Sequence, residues 1–173
     1  MWLRVWMSLI FASLVLPSLA SDTAALKARV DAYSAAMKSK SYEGIVDVVP
    51  LRVLEMMAER ANTDPATLRS AMIQQTEQAI ATIDILELSI DAVSPDYQTT
   101  ETGIVYAFLP TEALMAIPGV GKVESETSTL ALQESGMWFL AAIDQPQQVL
   151  VIREAYPGFK SVDFPTGVTR PAE

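Results

Sequence analysis

The sequence predicts an α+β fold, with three amino-terminal helices packed on a curved antiparallel sheet and a short carboxy-terminal helix. Through residues 22–83, apolar side chains recur at three- and four-residue steps, the spacing of one helix face. From residue 84 to residue 143, apolar and polar residues alternate, as in half-buried strands. A chain of 173 residues is long enough to form one domain with a substantial core.

The first helix is expected over residues 22–40. Its apolar face carries Leu26, Val30, Tyr33 and Met37. A second helix is expected in two pieces, residues 42–48 and 50–61, because Pro50 fits the first position of a helix and not its interior.

The third helix is expected over residues 65–83. Asp64 followed by Pro65 is typical of a helix start, with Asp64 as the capping residue. The helical half also holds Met37, Met56, Met57 and Met72. Methionines of this kind either line an adaptable apolar pocket or simply fill the core.

Four strands are expected, at residues 85–93, 98–109, 122–134 and 137–143. Residues 111–117 lie between two prolines and are expected to form a loop or a short irregular turn. Glu134-Ser135-Gly136 indicates a tight hairpin, so the last three strands should form an antiparallel meander. Trp138 and Phe139 should then point to opposite faces.

The region after the sheet begins with Asp144-Gln145-Pro146, which indicates a short helix. A strand at residues 147–152 is the alternative, since Val and Ile are common there. Residues 161–173 contain Pro and Gly and are expected to be a loosely ordered tail.

The amino terminus resembles a secretory signal peptide. Arg4 precedes an uncharged apolar run from Val5 to Leu16, and Ser18-Leu19-Ala20 supplies small residues for cleavage before Ser21. About twelve apolar residues fall short of the roughly 20 that a spanning helix needs, which argues against the alternative of an uncleaved anchor. The expected organisation is a signal at residues 1–20, one domain at 21–160 and the tail at 161–173. The mature chain should be periplasmic or secreted.

The composition excludes several classes of function. The net charge of -9 disfavours binding to nucleic acid and, after signal cleavage, to an anionic membrane surface. The chain has no Cys, so it has no thiolate nucleophile and no disulfide. It has no His, which excludes a Ser-His-Asp triad and removes the commonest zinc ligand.

Two stretches carry a family resemblance: VDAYSAAMKSKSYEGIVDVVP, with its helix, turn and second helix, and ESGMWFLAAID, the return strand with Trp. Their order resembles the nuclear-transport-factor-two-like superfamily, the cone-shaped fold of ketosteroid isomerases and scytalone dehydratase. The resemblance implies a pocket at the open end of the cone. The matching pattern makes six residues candidates for ligand binding: Tyr33, Met37, Tyr42, Met57, Tyr106 and Trp138. The alternative is that these large side chains fill the cone.

The resemblance also raises the question of catalysis. The isomerases of the superfamily use a carboxylate base in an apolar cavity, and Asp47, Glu87 and Asp91 could serve if buried beside Tyr42 or Tyr106. Solvated acids on an acidic protein are the simpler interpretation. The dehydratases rely on His, which this chain lacks. Glu124 and Glu126 share a strand face, but two carboxylates do not make a metal site, and no metal or cofactor is expected.

The hypothesis favoured by the sequence is therefore a non-catalytic exported domain that binds a small apolar ligand or a protein partner. An isomerase-type enzyme using a buried carboxylate and Tyr is one alternative. A structural or assembly module that forms a homodimer is another.

Overall fold

The computed structural model describes residues 19–172, and the α+β prediction is confirmed. The helices are α1 (Leu19–Ser39), α2 (Tyr42–Val46), α3 (Leu51–Arg60), α4 (Pro65–Ile80) and α5 (Pro146–Ala155). The strands are β1 (Asp84–Ile90), β2 (Gln98–Thr99), β3 (Val105–Ile117), β4 (Gly121–Glu134), β5 (Met137–Ala142) and β6 (Val168–Pro171). Residues 147–152 lie within α5 and are therefore helical, not a strand. A 3-10 turn, Pro157–Phe159, follows this helix. The expected signal peptide at residues 1–20 lies almost entirely outside the described residues.

The sheet is antiparallel and curls into a half-barrel with the strand order β1-β3-β4-β5. The meander β3-β4-β5 is confirmed. Its second hairpin turns through Ser135 and Gly136, whose φ angles are 52° and 78°. Two successive positive φ angles are typical of the tight turn that matches the twist of the flanking strands. This turn fixes the register that pairs Gln133 with Trp138.

The loop predicted for residues 111–117 is wrong, because these residues form the second half of β3. Pro110 suggested a break, since it cannot donate a backbone hydrogen bond. The Pro110 carbonyl accepts from the Asp91 amide at 2.9 Å, so the ring nitrogen also faces the β1 side of β3. Pairing between β1 and β3 ends at Ile90 and Thr111, directly beside this position. The missing amide hydrogen of Pro110 therefore costs β3 little backbone hydrogen bonding to β1.

The single strand predicted for residues 98–109 is also wrong at its start. The short strand β2 pairs back on β3, with Gln98 opposite Tyr106. A turn at Thr100–Gly103 separates them, closed by the Gly103 amide on the Thr100 carbonyl at 2.9 Å. Gly103 has a φ of 86°, a conformation that glycine adopts without steric cost. The hydroxyl of buried Thr100 accepts from the Ile104 amide at 3.1 Å and stabilises the turn.

The carboxy-terminal segment, expected to be loosely ordered, contains β6, which pairs antiparallel with the first part of β4. Arg170 of β6 lies between Glu124 and Glu126, and its Nε donates to Glu124 at 3.1 Å. The two glutamates that could have suggested a cation site thus face a guanidinium. This pairing explains why the polar start of β4 can lie inside the sheet.

Two apolar layers cover opposite faces of the sheet. On one face, Leu26 and Val30 of α1 pack on Ala107, Leu109, Ala131, Trp138 and Leu140. On the other face, α3, α5 and the 3-10 turn pack on Tyr106, Leu130, Leu132 and Phe139. The prediction that Trp138 and Phe139 point to opposite faces is confirmed.

The chain passes from one layer to the other at the outer edge of β5. The connector between α2 and α3, residues 47–50, crosses this edge, and the Val48 carbonyl accepts from the Leu140 amide at 2.8 Å. Asp47 anchors the connector through its carboxylate, which lies 2.9 Å from Arg29 of α1 and 3.4 Å from Arg69 of α4. The helix break predicted from Pro50 therefore lies where the chain crosses the outer edge of the sheet.

Helix α4 lies on the outside of this arrangement. Asp64 caps its first turn, as predicted, with its carboxylate accepting from the amides of Ala66 and Thr67, both at 3.0 Å. The helix packs on α2 and α3, and its apolar residues are only half-buried.

We expect Tyr156→Phe to lower the free energy of unfolding by about 1–2 kcal/mol at neutral pH. Tyr156 is 1% exposed, and its hydroxyl donates to Glu134 at 2.9 Å. Burial, followed by the hydrogen bond and charge of Glu134, raises the pKa of Tyr156 above its usual range. A raised pKa stabilises the fold below the unfolded tyrosine value of about 10 and loses that effect at higher pH.

Urea titrations of both proteins between pH 7 and pH 11 check this prediction. The advantage of the wild type over the Phe variant should be constant up to about pH 10 and then shrink. A difference that is absent at pH 7, or that stays unchanged at pH 11, would contradict the assigned role of the hydroxyl.

Candidate functional site

An apolar cavity of about 430 Å³ lies where the connector crosses the edge of β5. We call it the edge cavity. Its wall comes from the connector, Thr129 of β4, the end of β5 and the facing sides of the five helices. The apolar lining residues are Ile45, Val48, Val49, Pro50, Val53, Met57, Met72, Leu140, Ala141, Ala142, Val151 and Ile152. Small-molecule sites in proteins are typically apolar clefts of this size with a few polar groups.

Only four lining residues carry polar side chains, and none of them is charged: Tyr33, Thr129, Gln147 and Gln148. Gln148 is partly engaged, because its Oε1 accepts from the Gln145 amide at 2.9 Å and holds the first turn of α5. The remaining polar groups can hydrogen-bond a ligand without contributing charge.

Tyr33 is a polar lining side chain whose hydroxyl can form a new hydrogen bond with a ligand. The structure shows no hydrogen bond from its hydroxyl to any residue between 19 and 172. Burial, and secondarily the charge of Asp144, raises the pKa of Tyr33, so the hydroxyl stays protonated. It is thus a partly desolvated donor that faces no acceptor in the described part of the chain.

Thr129 supplies a hydrogen-bond acceptor that complements the Tyr33 donor. The Thr111 hydroxyl donates to the Leu109 carbonyl at 3.0 Å, and it lies 2.8 Å from the Thr129 hydroxyl. Either hydroxyl can donate in this pair, so the Thr129 oxygen accepts at most one hydrogen bond from Thr111. The oxygen of Thr129 therefore keeps at least one lone pair with which to accept a hydrogen bond.

The six residues proposed from the sequence do not lie together. Tyr33 and Met57 line the edge cavity. Met37 and Tyr42 are half-buried on α1 and α2 and lie outside its lining.

The last two candidates lie on opposite faces of the sheet. Trp138 is buried on the α1 side, with its ring centroid 5.6 Å from that of Tyr97. Tyr106 is buried on the α3 and α5 side, 4.9 Å from Phe159 between ring centroids. In the structure both belong to packed clusters.

Sequence reasoning missed most of the edge cavity. Val48, Thr129 and Leu140 come from three separate segments, and only the crossing of the β5 edge brings them together. Met72 was noted as part of a methionine-rich half, and together with Met57 it does line an apolar wall. Pro50 was the one local signal, because a helix broken between apolar pieces must turn there.

A second, broader depression of about 690 Å³ lies on the other face beside Tyr106. The Tyr106 hydroxyl donates to Gln98 at 2.7 Å, and the Gln98 amide donates to Asp96 at 3.2 Å. Burial, and secondarily the charge of Asp96, raises the pKa of Tyr106. The Tyr106 hydroxyl is therefore already hydrogen-bonded within this group.

The three carboxylates considered as bases are all exposed. Asp47 is held by Arg29 and Arg69. Glu87 and Asp91 lie on or just beyond β1, and Asp91 accepts from the Val93 amide at 3.0 Å. The condition for a catalytic role, burial beside Tyr42 or Tyr106, is not met by any of them. Within residues 19–172, no three acidic side chains lie close enough to bind a metal ion.

Comparison of the chain with protein families, with curated proteins and with solved structures gave no match. None of the helices between residues 19 and 172 combines the length and apolar character needed to cross a membrane. The functional argument therefore rests on the edge cavity itself.

Proposed function

We propose that the chain is an exported, non-catalytic binding protein whose ligand is a small apolar molecule held in the edge cavity. The observation that carries this proposal is an uncharged, apolar cavity of about 430 Å³ whose wall includes the half-buried Tyr33, with no hydrogen bond from its hydroxyl to another described residue. Export is supported by the signal-like pattern of residues 1–20. The cone of the nuclear-transport-factor-two-like superfamily remains part of this proposal as the parent architecture, and the curled sheet with its helices is compatible with it.

A small molecule suits the cavity better than a protein partner. The cavity is bounded by five helices and two strands, and its volume falls within the range of small-molecule sites. A partner helix would instead need a long groove with anchoring positions at helical spacing. Two of the lining side chains, Met57 and Met72, are flexible enough to adapt to ligands of different shape.

We expect Met57→Trp to weaken binding of the neutral apolar dye N-phenyl-1-naphthylamine at least tenfold. Met57 lines the cavity, and an indole in its place would occupy space that the dye needs. The matched control is Met56→Trp, which makes the same change at the neighbouring half-buried position of α3, outside the lining. Its affinity should stay within about twofold of the wild type, since it removes no contact with the dye.

Titration of the purified chain with the dye, followed by fluorescence, measures both affinities. Thermal unfolding of each variant checks that it is folded, and Val151→Trp fills the same cavity from α5 if Met57→Trp does not fold. Absence of saturable dye binding to the wild type, or equal losses in the Met56 and Met57 variants, would overturn the proposal.

A further inference from the structure

Helix α4 closes one side of the edge cavity through Met72, the lining residue that this helix supplies. None of the 16 residues of α4 is buried, and all of them lie in the described part of the chain. Each of the other four helices buries at least one apolar side chain, among them Leu26, Val46, Leu54 and Ile152. An element with few buried apolar contacts separates from a fold at a lower free-energy cost than the core does. Among the five helices of the wall, α4 is therefore the one that opens most easily.

The helix is well formed in itself and can move as a unit. Asp64 caps its first turn, and a short turn at residues 61–64 joins it to α3. Beyond its other end, the Ala81 carbonyl accepts from the Lys40 ammonium at 2.8 Å. Between these two ends, α4 is held by half-buried contacts with α2 and α3. Movement of α4 away from these helices leaves its own backbone hydrogen bonds intact.

An ion pair joins the first half of α4 to the connector beside the cavity. Arg69 Nη2 lies 3.4 Å from the Asp47 carboxylate, and the two side chains are 38% and 55% exposed. Asp47 is held independently by Arg29 of α1, which lies 2.9 Å from its carboxylate. Because an exposed ion pair contributes little to stability, Arg69 can leave while Asp47 stays in place.

We propose that α4 is a lid for the edge cavity and that the ion pair between Arg69 and Asp47 is its latch, so that a ligand enters and leaves when this pair breaks. This inference rests on the proposed function. Outward movement of α4 carries Met72 away from the cavity, while the hydrogen bond between Val48 and Leu140 keeps the connector on β5. The rate of opening then limits both entry and release of the ligand.

Stopped-flow fluorescence with N-phenyl-1-naphthylamine measures entry and release for the purified chain. We expect Arg69→Gln to raise the association and dissociation rate constants together, about two- to fivefold, because loss of the latch makes opening more frequent. The affinity should stay within about twofold of the wild type, since Arg69 does not line the cavity. The matched control is Arg60→Gln, which removes an exposed ion pair with Glu154 between α3 and α5 and should change neither rate constant.

Hydrogen exchange of backbone amides tests the lid without a ligand. In the wild type, the amides of α4 should exchange at least about tenfold faster than those of α3, because α3 is anchored by buried side chains. Arg69→Gln should speed the exchange of α4 further, while Arg60→Gln leaves it unchanged.

The outcomes separate the two proposals. If the dye binds but the two arginine variants change its rate constants equally, or if neither variant changes them, the lid is wrong while the apolar site stands. Protection of α4 equal to that of α3 also overturns the lid. If the dye shows no saturable binding to the wild type, the proposed function itself fails, and the lid fails with it.

Discussion

Phe159→Ala is expected to lower the free energy of unfolding by about 3–5 kcal/mol. Phe159 is fully buried in the 3-10 turn after α5, with its ring centroid 4.9 Å from Tyr106, 5.9 Å from Phe164 and 6.3 Å from Tyr156. Its removal deletes apolar contacts on three sides, and it leaves a cavity that the rigid sheet cannot close. Urea denaturation measured by tryptophan fluorescence gives the difference directly.

The control for Phe159 is Phe164→Ala, the same change at a half-buried position of the same aromatic cluster. Part of the Phe164 ring already contacts water, so Phe164→Ala should lower the free energy of unfolding by less than Phe159→Ala does. If the two variants lost equal stability, the aromatic cluster would not be centred on Phe159 as the structure places it.

Leu130→Ala should lower the free energy of unfolding by about 2–5 kcal/mol. Leu130 is 0% exposed in the middle of β4, opposite Phe108 of β3 and Ala141 of β5. Ala at this position leaves a void between three strands and the layer formed by α3 and α5. Alanine is also the poorer strand former, which adds to the loss.

Leu150→Ala supplies a chemically identical change on the surface of α5, where Leu150 is 64% exposed. Its effect should fall within about 0.5 kcal/mol of zero, because little apolar area is buried there and Ala favours helix. Comparable losses in Leu130→Ala and Leu150→Ala would contradict the assigned core. Equilibrium unfolding of both proteins in urea under the same conditions decides between these outcomes.

Much of the fold could be predicted from local patterns. The periodic faces of the amino-terminal half, the capping Asp64 and the turn at Ser135–Gly136 depend on residues close in sequence, and the structure confirms them. The strand through residues 111–117 was missed because the tolerance for Pro110 depends on where β1 stops pairing. That end point is a property of the assembled sheet, which no window of sequence around Pro110 contains.

The candidate site was predictable only in part. Tyr33 and Met57 were found because they lie on apolar helix faces, and both line the edge cavity. Tyr106 and Trp138 were grouped with them although they point to opposite faces of the sheet. The face of each residue depends on strand register, and a shift by one residue reverses it. The cavity itself arises from the crossing at Val48–Pro50, which is a tertiary feature.

The same crossing bears on how the chain reaches its fold. Val48 meets Leu140 about 90 positions later in the chain, and contacts between such distant residues slow folding. Helices α1 and α3 are synthesised before the strands on which they pack, so their apolar faces lack these partners until the meander has been made. The two apolar layers can therefore be completed only after β5 has been synthesised.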